Sequence, residues 1–297
     1  MYSMKQSGEH PMELTDIRVR SRIPKAELDK KVGRILTERD YSVRLTGPTR
    51  VVGPAGNSLA VYLPNAISGT LNVEHYPVLH GIKETTGNRG NASGSQYRKI
   101  NLQNRANHVR SALIGSFDGG PKTPRNPYCR TTMWTGKHTE EFRRLYPLFE
   151  HISRLLKEYV PQRFAAQWER AEATDPEWRV PNTPFTTMTV NNTYPTGVHV
   201  DKGDLDAGFS CLAVWRRGEY TGGHLTLPEY RLAVDMQDGD LLLMDAHQWH
   251  GNTALELGSE DAERISLVLY YRTDMLACGT AGDELGKQIS AKKKAFK

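Results

Sequence analysis

His199 and Asp201 stand two residues apart in the run His199-Val200-Asp201-Lys202-Gly203-Asp204. In an extended chain such residues leave the same face, so an imidazole and a carboxylate at this spacing can hold one cation together. The pair discriminates little by itself: with ten histidines and roughly one chance in twenty of Asp two positions on, about half such a pair per chain arises at random. The residues downstream give it meaning. The run Gly239-Asp240-Leu241-Leu242-Leu243-Met244-Asp245 reads as a turn into a buried strand and brings His247 and His250 to that strand's end. Two imidazoles and one carboxylate leave three coordination positions open on Fe(II), enough for a bidentate 2-oxo acid and O2. Zinc would more typically take a fourth protein ligand or the HExxH arrangement, and neither pattern is present. His250 is the expected distal ligand because Gly251 lets the chain turn after it, with His247 open as the alternative.

Fourteen residues beyond His250 comes Arg264-Ile265-Ser266-Leu267-Val268-Leu269-Tyr270-Tyr271-Arg272. Its alternation puts Ile265, Leu267 and Leu269 on one strand face and Arg264, Ser266, Val268, Tyr270 and Arg272 on the other. A guanidinium beside a hydroxyl suits the distal carboxylate of 2-oxoglutarate, which Arg grips through two parallel hydrogen bonds. Asn192 and Tyr194, on the approach to His199, could hydrogen-bond the 2-oxoglutarate carboxylates; a strand-end turn around Pro195 explains them equally well. The expected chemistry is Fe(II)- and 2-oxoglutarate-dependent oxygenation.

Such a site needs a rigid scaffold. Short β-rich segments at 186–193, 198–201, 209–215, 224–227, 232–234, 241–245 and 265–271, punctuated by Gly, Pro and Asp, predict a sandwich or barrel in the C-terminal half. Ahead of them, Phe142, Leu145, Phe149, Ile152, Leu156 and Tyr159 recur at helical spacing, predicting one helix over 139–159 ended by Pro161. Further upstream, Pro24 opens a helix carrying Leu28, Val32, Ile35 and Leu36, and strands are expected at 41–45, 50–52 and 59–63. Residues 1–22 show no sustained period, and the Gly-, Asn- and Ser-rich run 85–95 reads as a loop. The expected division is an N-terminal α+β extension over 1–138, a helix plus β core over 139–280, and a basic, frayed tail over 281–297.

Composition narrows the class. A chain of 297 residues can bury a full core without staples, and 38% hydrophobic with 25% charged residues is ordinary for a soluble globular protein. No apolar run of about eighteen residues and no leader pattern is present, so a soluble, intracellular protein without a membrane partner is expected. Cys129, Cys211 and Cys278 are odd in number and far apart, which predicts reduced thiols rather than a disulfide framework or a CxxC zinc site. The net charge of +5 suits an anionic partner. Much of that excess is read in the lysines of the tail, Lys292, Lys293, Lys294 and Lys297.

With these residues in place, the chain resembles the TET and base J-binding-protein branch of the 2-oxoglutarate dioxygenases, which hydroxylate the methyl group of 5-methylcytosine or thymine in nucleic acid. The resemblance rests on HVDKGD at 199–204, GGHLTLPEY at 222–230, GDLLLMD with HGNT between 239 and 253, and RISLVLYY at 264–271. It implies an α+β fold, a double-stranded β-helix (jelly roll) with helices packed outside, and Fe(II), 2-oxoglutarate and O2 as cofactor and cosubstrates. The compact chain is similar to phage or bacterial members. By position, Tyr270 matches the aromatic that stacks on a flipped methylated base and Asp204 a polar group that bonds its edge. Arg272 falls where TET enzymes place a base-contacting histidine, which leaves the base open: Asp204 accepts equally from the N4 amine of cytosine or the N3–H of thymine. The implied activity is hydroxylation of 5-methylcytosine in DNA, with thymine hydroxylation or non-catalytic reading of modified bases as alternatives. Fainter resemblance to the base J side lies in Ser111–Phe117 and Tyr128–Thr131, where Arg130 is read as core support or a substrate or cosubstrate contact. Arg98, Lys99, Arg105 and Arg110 are read as phosphate contacts or as a solvated basic face.

Overall fold

The computed structural model, which describes residues 11–67, 69–84, 110–119 and 126–295, shows the segments of period-two alternation folded into sheets. The first strands are β1 (Thr15–Arg18), β2 (Val43–Leu45), β3 (Thr49–Val52), β4 (Ser58–Leu63), β5 (Arg110–Phe117), β6 (Arg130–Thr131), β7 (Thr187–Asn192) and β8 (Ser210–Arg217). They continue as β9 (Tyr220–Gly222), β10 (Leu225–Leu227), β11 (Leu232–Val234), β12 (Leu241–Met244), β13 (Gly251–Asn252), β14 (Leu255–Leu257) and β15 (Glu263–Tyr270). The helices are α1 (Lys25–Asp29), α2 (Gly69–His80), α3 (Met133–Lys137), α4 (Thr139–Arg144), α5 (Tyr146–Tyr159), α6 (Pro161–Glu172) and α7 (Ala281–Ala295).

Nine strands form a large sheet in the order β1-β3-β4-β12-β8-β15-β7-β5-β6, and a smaller sheet runs β13-β10-β11-β2. Alternation then sorts side chains between two apolar layers. Ile265, Leu267 and Leu269 of β15 and Leu241 and Leu243 of β12 lie under the helices with Phe149, Ile152 and Leu156 of α5. Leu242 and Met244 face the other way, meeting Leu225, Leu227, Leu232 and Val234 of the small sheet. Each such fully buried side chain contributes about 1.5–3 kcal/mol. This is the double-stranded β-helix with external helices.

Several local expectations fail for identifiable reasons. The helix over 139–159 breaks at Leu145, because Pro147 in the first turn of α5 has no N–H to continue the ladder. Pro161 does not only stop a helix; it opens α6 at its first turn. The helix at Pro24 ends at Asp29, and Val32 and Leu36 instead bridge in parallel to Val198 and Thr253. Where residues 1–22 showed no period, Thr15–Arg18 pair in parallel with β3. No sheet boundary coincides with residue 138: β4 and β5 lie inside the large sheet, and β2 belongs to the small one.

The tail and cysteines differ as well. Rather than an irregular end, residues 281–295 form α7, whose buried Glu284 accepts hydrogen bonds from the backbone N–H groups of Cys129 (2.7 Å) and Gly279 (2.9 Å). Cys129 and Cys278 form a disulfide, against the expectation of three reduced thiols; only Cys211 remains a buried thiol. A separation of 149 residues hid the pairing, since it exists only because the segment after β15 folds back beside β6. The loop expected at 85–95 and the basic residues Arg98, Lys99 and Arg105 lie outside the described residues. Among those described, no helix is long and apolar enough to cross a membrane.

Candidate active site

Residues 198–201 were expected as a strand, yet they make only isolated bridges, and that irregularity brings the candidate metal ligands together. His199 and His250 exchange both backbone hydrogen bonds, at 2.9 and 3.0 Å, which sets their imidazoles side by side with ring centroids 4.3 Å apart. Asp201 N–H donates to the carbonyl of Ala246 at 3.1 Å, fixing the third residue to the segment between the other ligand and β12. The Asp201 carboxylate then lies 3.4 Å from His199 Nε2 and 3.6 Å from His250 Nε2. One ligand atom from each of the three residues falls within 4.8 Å of the others.

In each imidazole the remote nitrogen is held: His199 Nδ1 by the carbonyl of Gly197 at 2.7 Å and His250 Nδ1 by that of Gln248 at 2.9 Å. Donation from Nδ1 leaves Nε2 with its lone pair toward Asp201, the tautomer a metal needs. Burial, reinforced by His199, pushes the His250 pKa down to about 4, so this ligand stays neutral. Gly251 acts by close approach rather than by turning the chain: a Cβ there would lie 2.9 Å from the backbone nitrogen of Val198.

The triad opens into a cavity of about 460 Å3 between the sheets. Arg264, Ser266, Val268, Tyr270 and Arg272 all line it, as alternation on β15 predicted. Arg264 is buried at 5% exposure, and its Nη2 is a buried donor with no protein partner. Burial, partly opposed by Tyr220, holds its pKa below the usual range. A buried cation with an unused donor is costly unless an anion meets it, so the geometry fits a carboxylate ligand. The metal donor set, two neutral imidazoles and a carboxylate, likewise fits Fe(II).

At the other pole, Asp204 is buried and accepts from Ser210 Oγ at 2.7 Å; burial and the nearby Asp201 raise its pKa well above the carboxylate range. Arg272 Nε is hydrogen-bonded to buried Asp118, and its guanidinium lies 4.1 Å from the Phe117 ring centroid. Tyr270 Oη and Thr189 Oγ1 are 3.2 Å apart. Phe117, Asn191 and Trp249 also line the cavity. Their positions were not singled out in the sequence, although the alternation of β7 would have pointed Asn191 to the same side as Thr189.

Four candidates fall elsewhere. Asn192, one residue out of phase with Asn191, turns to the outer face and donates to Glu263, which also binds Tyr76 and His80. Tyr194 is buried but does not line the cavity. His247 sits between Asp245 (3.1 Å) and Asp206 (3.0 Å), outside the group formed by His199, Asp201 and His250. Arg130 donates to the carbonyls of Asp118 and Tyr128 and lies outside the cavity, a support for the segment that carries Phe117 and Asp118.

Comparison with known proteins agrees with this geometry. Residues 113–273 match Tet_JBP, the oxygenase domain of the 2OGFeDO superfamily. Thymine dioxygenase JBP1 of Trypanosoma brucei brucei is 39% identical over 165 residues, covering 54% of this chain and 19% of that protein. Thymine dioxygenase JBP1 of Leishmania braziliensis is 35% identical over 167 residues, 55% of this chain and 20% of that protein. The chain thus spans about a fifth of the length of these curated relatives. Among solved structures, NgTET1 in complex with 5mC DNA superposes with a TM-score of 0.54 at 13% identity, covering 90% of this chain and all of that one, which shows a shared fold.

Proposed function

The chain belongs to the TET and base J-binding-protein family of Fe(II)- and 2-oxoglutarate-dependent oxygenases, and on that premise we propose that it hydroxylates the methyl group of a 5-methylpyrimidine in DNA, with thymine the favoured base. The observation that carries the reading is a single cavity with two unlike poles: a metal-ready triad beside the partnerless Nη2 of Arg264, and across from it Asp204, Tyr270 and Arg272. At about 460 Å3 the space accommodates a small dicarboxylate and a flipped base together.

His199, Asp201 and His250 would hold the iron, and Arg264 with Ser266 the distal carboxylate of the cosubstrate. With 2-oxoglutarate and O2, ferrous iron supplies the oxygenation: the cosubstrate becomes succinate and CO2, and one oxygen atom enters a substrate C–H bond. The residues themselves aim and dry the site. Tyr270 offers a face to the base, Arg272 donates to a ring nitrogen or carbonyl oxygen, Asp204 meets the neighbouring edge position, and Val268, Leu212 and Met244 line the walls with apolar surface. Arg272 is a donor-only group, and its pair with Asp118 holds it in place. Thymine is favoured because relatives named thymine dioxygenases share 33–39% identity with this chain. 5-Methylcytosine is the second reading, since Asp204 as an acceptor and Arg272 as a donor also match the cytosine N4 amine and N3.

Nucleoside mass spectrometry after incubation with Fe(II), 2-oxoglutarate and either unmodified or 5-methylcytosine-containing DNA tests both. We expect 5-hydroxymethyluracil from thymine. 5-Hydroxymethylcytosine as the main product would move the assignment to the second reading, and no oxidised base from either DNA would overturn the proposal.

A further inference from the structure

At the edge of the large sheet, on β1 and the chain that leads on to α1, runs a segment that the oxygenation chemistry does not use. Ile17 and Val19 pack against the layer between the sheets, while Arg18, Arg20 and Arg22 stand exposed at the alternate positions. The segment stays extended beyond β1, with Val19 N–H donating to the carbonyl of Val52 and Arg22 N–H to that of Glu229. Among the described residues, none of the three guanidinium groups has a side-chain partner, while nearby Asp16 pairs with Arg50 and Glu27 with Lys30. From Arg18 to Arg34, seven basic residues face two acidic ones, a net charge of +5 that equals that of the whole chain.

Geometry ties this charge to the active site. Two-residue spacing sets the arginines about 6.7 Å apart in a straight row. They rim a groove of about 280 Å3 whose floor includes Val43, Tyr230 and Leu232. From Arg22 the chain reaches Asp29, on the rim of the catalytic cavity, in three extended steps and helix α1. That path is no longer than about 17 Å, roughly five nucleotides of strand rise. Val32, next along, bridges to Val198 beside the ligand His199.

We propose that Arg18, Arg20 and Arg22 form a phosphate track that holds the DNA strand flanking the base taken into the cavity. Extruding a base requires its neighbours to be held, and a row of unpaired guanidinium groups leading to the cavity rim does this without reading sequence. The inference rests on the DNA-substrate reading above and lies upstream of the matched oxygenase residues 113–273.

The test is fluorescence anisotropy with a labelled duplex long enough to span both sites and with a trinucleotide that can reach only the cavity, over a salt series. For the variant Arg18→Ser/Arg20→Ser/Arg22→Ser, we expect at least a tenfold loss of duplex affinity and a fall of about 2–3 in the slope of log Kd against log salt, from three lost contacts. Trinucleotide binding should not change. Arg18→Lys/Arg20→Lys/Arg22→Lys should keep most of the slope, and Arg20→Glu alone should weaken the duplex more than Arg20→Ser. Wild-type duplex affinity and slope in the triple serine variant would overturn the track, as would equal displacement of the duplex by an acidic peptide of matched charge. Nucleoside analysis separates the two claims: oxidised DNA with unchanged binding in the triple variant removes the track alone. Arginine-dependent duplex binding without any oxidised base removes the oxygenase substrate alone.

Discussion

At the metal end of the cavity, His199 and His250, although far apart in the chain, are joined by reciprocal backbone hydrogen bonds, and Asp201 N–H donates to the carbonyl of Ala246 just beyond β12, so their placement rests on backbone pairing. At the base end, Arg272 is held by Asp118, 154 residues away, and the segment carrying Asp118 is tied in turn to the C-terminus through Arg130, Glu284 and the Cys129–Cys278 disulfide. Under the proposed function, chemistry and substrate choice can change separately, because one end rests on backbone pairing and the other on long-range side-chain contacts.

The comparison breaks most sharply at Asp201. Replacing it with Ala removes the only carboxylate of the triad, and we expect Fe(II) affinity by calorimetry and turnover to fall by at least about a thousandfold while the base end still binds DNA. Unchanged turnover in Asp201→Ala would refute the metal assignment. Next in size, Arg264→Ala should raise the KM for 2-oxoglutarate by roughly a hundredfold, the worth of a charge-assisted bidentate contact, with Fe(II) binding retained.

At the base end the losses should be smaller in turnover and larger in stability. Arg272→Ala leaves buried Asp118 uncompensated, and a cost of about 3 kcal/mol is expected in chemical denaturation, at the low end for a broken buried pair because Arg272 is partly exposed. Base oxidation should fall more than uncoupled 2-oxoglutarate consumption, and adding Asp118→Asn should recover part of the stability. If the two variants prove additive, the pair is not coupled. The smallest effect on chemistry is expected for Cys129→Ser, which should lower the melting temperature through a loss of about 2–4 kcal/mol and leave Fe(II) affinity unchanged.

Much of the metal end was legible in the chain. The HxD pair, the glycine-led strand ending at His250 and the Arg264–Ser266 alternation are short-range patterns, and a side chain's face follows from its parity along a strand. The same parity rule corrects Asn192: it is one residue out of phase with Asn191, so it meets Glu263 on the outer face rather than the cavity. Spacing alone does not separate His247 from His250, since both lie just beyond β12; the glycine after His250 favoured it, and in the fold Asp206 and Asp245 flank His247 while the Asp201 carboxylate faces His250.

From sequence alone came the ligand types, the oxygenase chemistry they permit and the strands that carry them, because metal preference and strand parity depend on residue identity and local order. Tertiary structure alone decided that Asp118 holds Arg272, that Cys129 meets Cys278 and that Arg18, Arg20 and Arg22 lead to the cavity rim. Those contacts join segments distant in the chain or set a strand's place against the rest of the fold, and no local spacing records which distant surfaces closure of the sheets will bring together.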